Sequence, residues 1–182
     1  LGCTRAQLLA RLREIRDVSG FKTLIERRLA YEPIAYILGE WEFFSLTFLC
    51  RAPVLVPRPE TEHLVEIALE YLSKVTGQPG VLDLCTGTGC VAITIAKNAA
   101  HAQVTATDLS PDALDLAREN AARHHVRIDF HKGDLFSALP SGIPPFDIIV
   151  ASPPYVEEYD WPGLSPGIRM HEDPRALLAG PD

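Results

Sequence analysis

The stretch Val81-Leu82-Asp83-Leu84-Cys85, which runs into Thr86-Gly87-Thr88-Gly89 and then into a helix-like segment from Cys90 to Asn98, constrains this chain more than any other feature. A short apolar run bounded by turn residues reads as a buried strand, and the segment behind it as a helix. Glycines at 87 and 89 let the backbone turn tightly and approach a ligand with no side chain between them. A strand that enters a helix through such a turn opens a parallel α/β sheet, and such sheets bind ligands at the carboxyl ends of their strands. The spacing lacks the third glycine of the full dinucleotide fingerprint; Ala92 holds that position, where the pattern accepts Gly or Ala. Read as Asp-x-x-x-Gly-x-Gly, it suits a ligand without phosphates that turns a cationic group toward Asp83, which favours S-adenosylmethionine over NAD.

Two further strand ends carry acids. Gln103 to Asp108 alternates in character and ends in a carboxylate about twenty residues beyond the glycine turn, the separation at which an acid meets ribose hydroxyls. Asp108 is the expected ribose ligand; it also fits the cap region of the next helix, where Ser110 is a good N-cap and Pro111 a good first residue. A third strand, Val126 to Phe130, leads to Gly133-Asp134-Leu135. Asp134 is placed to accept from an adenine amino group and Leu135 to cover the ring, with an ordinary Gly-Asp turn as the alternative. A fourth apolar run, Phe146 to Ala151, stops at Ser152-Pro153-Pro154-Tyr155. Proline cannot donate to a sheet ladder, so two in succession end the strand and leave carbonyl oxygens free to hold an amino group. A plain strand-ending turn would use the same residues.

Taken in order, Asp83 to Gly89, Asp108, Asp134 and Ser152 to Tyr155 resemble the class I methyltransferases that modify amino groups. Pro57-Arg58-Pro59-Glu60-Thr61-Glu62, preceded by Glu32-Pro33-Ile34-Ala35-Tyr36-Ile37-Leu38-Gly39, is similar to the signature of the HemK/PrmC family, the protein-(glutamine-N5) methyltransferases of peptide chain release factors. Gly167-Ile168-Arg169 and Glu172-Asp173-Pro174 resemble that family's stretch after the Pro-Pro-Tyr motif. The resemblance implies a Rossmann-like α/β sheet, S-adenosyl-L-methionine as cofactor and a release factor as protein partner. It further implies Asp83, Gly87 and Gly89 at the methionine end, Asp108 on ribose, Asp134 with Leu135 on adenine, and Thr86, Thr88 and Arg58 among the other cofactor-binding residues, Arg58 facing the cofactor pocket. Ser152, Pro153, Pro154 and Tyr155 are the expected catalytic corner, with Ser152, Pro153 and Tyr155 on the substrate. Residues 1–30 are expected to be the closing part of a helical recognition domain, 31–56 a β-hairpin linker, and 57–182 a catalytic domain that lacks its last strands.

The family usually carries Asn where this chain has Ser152. Ser-Pro-Pro-Tyr also occurs in DNA amino-methyltransferases of the cytosine-N4 type, so methylation of a nucleic-acid base is the alternative activity, and an idle cofactor-binding module is another. The net charge of -7 argues against a broad nucleic-acid groove, whose affinity comes from clustered Lys and Arg, and no direct nucleic-acid binding is expected. Cysteines at 3, 50, 85 and 90 show no metal-site spacing and read as reduced thiols. No apolar run approaches a membrane span of roughly 20 residues. The expected location is the cytoplasm, or the mitochondrion if the source is eukaryotic, although Glu14, Asp17 and Glu26 speak against a presequence. Apolar residues from Leu8 to Leu29 recur in helical rhythm, broken at Ser19-Gly20; Glu60 to Tyr71 reads as an amphipathic helix.

Overall fold

The computed structural model describes residues 20–180. The first of the two amino-terminal helices expected from sequence, together with Cys3, lies outside them. The second is α1 (Phe21–Leu29), followed by the short α2 (Ile34–Leu38), which Gly39 ends in the left-handed conformation. A hairpin follows, β1 (Glu40–Phe43) against β2 (Leu46–Leu49), joined by Phe44-Ser45. Both turn residues have positive φ, the mirror-image turn that matches strand twist, although neither is Gly or Asn. The Glu62 carboxylate accepts from the Phe44 N–H at 2.9 Å, and Phe43 and Phe48 pack edge to face inside the main core. The segment expected as a hairpin linker thus contains a helix as well as the hairpin.

The catalytic-domain candidate begins with a 3-10 turn over Pro59–Thr61 and α3 (Glu62–Leu72). Then come β3 (Gly80–Leu84), α4 (Cys90–Asn98), β4 (Gln103–Asp108), α5 (Pro111–His124), β5 (Asp129–Lys132) and β6 (Ile148–Ala151). All four strands are parallel, in the order β5-β4-β3-β6. The chain therefore steps outward from β3 to β5, then returns to the other side of β3, and the carboxyl ends of β3 and β6 flank the point of reversal where such sheets bind ligands. Helix α4 is buried on every side from Cys90 to Ile95, as a helix in the centre of a layer must be. Helix α5 buries one stripe, Ala113, Leu114, Leu116, Ala117, Asn120 and Ala121, and Ser110 Oγ accepts from the Ala113 N–H as its N-cap.

One strand departs from the sequence expectation. Val126, Arg127 and Ile128 do not pair; the ladder starts at Asp129 and runs to Lys132. The reason lies in the end of α5: His125 is left-handed and the Val126 N–H donates to the Ala121 carbonyl, so the first residues of the apolar run close the helix. Val126 and Ile128 still pack on the core.

After the Pro-Pro corner the chain forms a 3-10 turn over Trp161–Gly163, α6 (Pro166–His171) and a further turn over Pro174–Ala176. This segment packs back on the amino-terminal part. The Asp173 N–H donates to the Pro53 carbonyl at 2.8 Å, and Val156 exchanges hydrogen bonds with Leu177 and Ala179.

Candidate functional site

The glycine turn is shaped by two positive-φ glycines with different duties. Gly87, at φ 56, has open space where a Cβ would stand and lines the cleft. Gly89, at φ 80, caps α4, and a Cβ there would lie 2.9 Å from Ile93 and 3.1 Å from Ala117. Gly89 therefore serves the packing of α4 against α5 and lines neither cavity of the site.

Two cavities meet at the reversal point, one of about 240 Å³ and one of about 370 Å³. They share Leu55, Cys85, Gly87, Ser152, Pro153 and Ala176. The smaller is further lined by Asp108, Ser110, Asp134, Leu135 and Pro154, the larger by Arg58, Asp83, Thr86, Thr88 and Tyr155. All the site residues expected from sequence except Gly89 thus converge on one continuous cleft.

Asp83 is 2% exposed, and burial pushes its carboxyl up to about 7 against the opposing pull of its hydrogen-bond donors. Both donors, Thr86 Oγ1 at 2.7 Å and the Ala92 N–H at 3.2 Å, end on Oδ2. Thr88 is buried, and its hydroxyl has no hydrogen-bond partner among the described residues; the Cys90 thiol, a weak donor, is its near neighbour. Asp108 accepts from the Gly87 N–H at 2.8 Å through Oδ2 and from the Ser110 N–H at 2.9 Å through Oδ1. Burial raises its pKa, and these N–H donors lower it. The carboxylate thus ties the glycine turn to the start of α5 while it borders the smaller cavity.

Asp134 opens the 3-10 turn Leu135–Ala138, and Leu135, half-exposed at φ 44, presents an apolar surface to the smaller cavity. Cys85 sits in both cavities with its thiol pushed up to about 11 by burial, so it is neutral and filled by a proton at physiological pH. Tyr155 is 72% exposed at the rim, which excludes a role as core packing. Arg58 enters the 3-10 turn in extended conformation and pairs with Glu172 at 2.5 Å.

Sequence reasoning did not anticipate the lip of the cleft. Pro53, Val54 and Leu55 face Asp173, Arg175, Ala176 and Leu177 across the opening, from segments more than a hundred residues apart. No local periodicity signals such a pairing. Asn120 was also missed: fully buried in α5, it accepts from the Leu49 N–H at 2.7 Å and donates to the carbonyls of Leu49 and Thr88 at 3.2 and 3.0 Å, which fastens the hairpin and the glycine turn to one helix. An amide on the apolar stripe of α5 was its only trace. Among the described residues, no cluster of His, Cys, Asp and Glu could hold a metal, and no helix is long and apolar enough to cross a membrane.

Comparison with known proteins agrees with this architecture. A family model described as a methyltransferase domain matches residues 81–169, and one described as the PrmC N-terminal domain matches residues 1–39. The chain is 40% identical to the release factor glutamine methyltransferase of Chlorobaculum tepidum over 98% of its own length and 65% of that protein. It is 45% identical to the enzyme of the same name from Vibrio cholerae, over 89% of the chain and 56% of that protein. The chain thus spans less than two thirds of the length of these relatives. Among solved structures, a SAM-dependent methyltransferase from Agrobacterium tumefaciens aligns with a TM-score of 0.54 at 24% identity, over 64% of this chain and 40% of that one. The 16S rRNA N2 G1207 methyltransferase of Thermus thermophilus aligns with a TM-score of 0.53 at 20% identity, over 64% and 32% of the two chains. These structural likenesses establish the fold, and the sequence matches run along nearly the whole chain: it is similar throughout to proteins named release factor glutamine methyltransferase, with a match to the PrmC N-terminal domain followed by one to a methyltransferase domain.

Proposed function

We propose that the chain binds S-adenosylmethionine in the two joined cavities and takes part in methylating the side-chain amide nitrogen, N5, of a glutamine in a peptide chain release factor. The observation that carries this reading is the shared wall: Gly87 of the turn and Ser152-Pro153 of the corner line both cavities, so a cofactor and an acceptor group would meet there. The lining also fits the cofactor. The larger cavity offers one buried acid, Asp83, a basic residue, Arg58, and the Thr88 hydroxyl, which together match the charged amino-acid portion. The smaller cavity offers Asp108 for ribose and Asp134 with Leu135 for adenine.

When bound, the cofactor supplies an electrophilic methyl group on a sulfonium. An amide nitrogen is a poor nucleophile because its lone pair is delocalised into the carbonyl, so this chain's contribution is chiefly position. Carbonyl oxygens at Ser152 and Pro153 would accept from the acceptor NH2, align its lone pair and stabilise the positive charge that grows on nitrogen. Orientation of this kind is worth on the order of 7 to 11 kcal/mol. Tyr155 at the rim would stack on the amide, and the surplus proton would leave to water. We assign residues 57–182 to this chemistry, 1–30 to recognition of the release factor and 31–56 to the link between them, in the cytoplasm.

The test is mass spectrometry of a release factor after incubation with the protein and labelled cofactor. One methyl group on the glutamine side chain supports the reading; label on nucleic acid in place of protein refutes it. That second outcome is the reading favoured by Ser152 alone, since Ser-Pro-Pro-Tyr is shared with base amino-methyltransferases.

A further inference from the structure

Among the described residues Arg58 is the one basic residue that lines the larger cavity, and its side chain is 30% exposed. Among the described residues its guanidinium has one hydrogen-bond partner, Glu172, through a single nitrogen. Glu172 lines neither cavity, and its side chain is only 1% exposed. Its backbone is fixed on both sides: its N–H donates to the Ile168 carbonyl at 3.0 Å, and the next N–H, of Asp173, donates to the Pro53 carbonyl. Burial raises the Glu172 pKa and the Arg58 charge draws it down. A buried carboxylate of this kind is retained at a cost in desolvation, which the single ion pair offsets only in part.

We propose that Glu172 is a positioning residue of the cofactor site, holding the Arg58 guanidinium at the larger cavity with its remaining N–H donors directed to the carboxylate of the bound amino-acid portion. The proposal rests on the reading of the joined cavities as an S-adenosylmethionine site. A free arginine side chain samples many rotamers and loses that freedom when it engages a ligand; one already clamped at one edge of its planar fork does not. Asp83, on the same cavity, supplies the opposite charge for the ammonium group. Glu172 would therefore act only on ligands that carry the amino-acid portion.

That selectivity is the test. By calorimetry, the wild-type chain is titrated with S-adenosylhomocysteine, which has the carboxylate, and with methylthioadenosine, which lacks the whole amino-acid portion. Glu172→Gln, close in shape and uncharged, is expected to lose about tenfold or more in affinity for S-adenosylhomocysteine, with methylthioadenosine unchanged. Equal loss for both ligands marks a merely structural role and overturns the proposal, as does loss for neither. If the wild type binds neither ligand, the cofactor reading falls and the proposal with it. Should Glu172→Gln fail to fold, Arg58→Lys carries the same comparison, because it keeps the charge against Glu172 and gives up the fork. Selective loss supports the proposal, and equal or absent loss overturns it.

Discussion

Replacing Asp83 by Asn separates stability from ligand affinity in a way that tests how the site is built. Both donors to the Asp83 carboxyl end on Oδ2, so an Asn can put its amide oxygen there, keep the Thr86 and Ala92 bonds, and turn its NH2 to the position of Oδ1. What it removes is a buried negative charge. The carboxyl titrates near 7 in the folded chain, against 3.8 as the ordinary value. Because the folded pKa is the higher one, the folded state holds the proton more tightly: its stabilising effect is complete below about pH 4 and is lost as the pH rises through about 7. At 1.36 kcal/mol per unit, the loss is on the order of 4 kcal/mol, or roughly 10 °C in Tm for a chain of this size. Asn does not titrate, so the Tm of Asp83→Asn minus that of the wild type should grow by roughly that amount between pH 4.5 and pH 8. In the same variant, affinity for S-adenosylhomocysteine should fall, since the NH2 would face the ligand's ammonium. Parallel melting profiles across the pH range would refute the argument, because they would mean that the carboxyl is hydrated or paired and that its burial costs nothing.

Asp108→Ala should abolish measurable cofactor binding, as each lost hydrogen bond to a charged acceptor costs about 1.5 to 3 kcal/mol; unchanged affinity in calorimetry would remove Asp108 from the ribose site. Gly89→Ala should destabilise the fold by about 2 to 5 kcal/mol in denaturant titration, from left-handed strain plus the clash with Ile93 and Ala117, whereas Gly87→Ala, with open space around it, should cost about 1 to 2 kcal/mol. The reverse order would contradict the division of labour between the two glycines. Asn120→Ala leaves a buried N–H and two carbonyls without their partner and should cost about 2 to 4 kcal/mol; a change below about 0.5 kcal/mol would show that the hairpin is not held through this amide.

The parts of the site that lie on consecutive strand ends were legible in the sequence. Val81 to Cys85, the glycine turn and α4 announce themselves because an apolar run, two glycines and a helical run follow one another without a gap, and Ser110-Pro111 marks the start of α5 by cap chemistry alone. The start of β5 was not legible, since Val126 and Ile128 are apolar for the core whether or not they join a ladder, and only the left-handed His125 decides where the helix lets go. The turn Phe44-Ser45 carries no glycine signal, because the flanking Phe43 and Phe48 and the Glu62 carboxylate hold it from outside. Arg58 could be noted as a constrained arginine between prolines, but its partner Glu172 is 114 residues away, and only folding brings them together.

The lip of the cleft draws residues 53–55 and 173–177 toward each other across ligand space, while the floor is laid by strand ends that are already fixed in the sheet. A small molecule that fills this space touches both margins and so works as a staple between an early and a late stretch of the polypeptide. Its arrival should slow amide exchange most at Asp173, whose N–H closes that seam, and far less in the parallel ladder beneath, which needs no occupant to hold its shape.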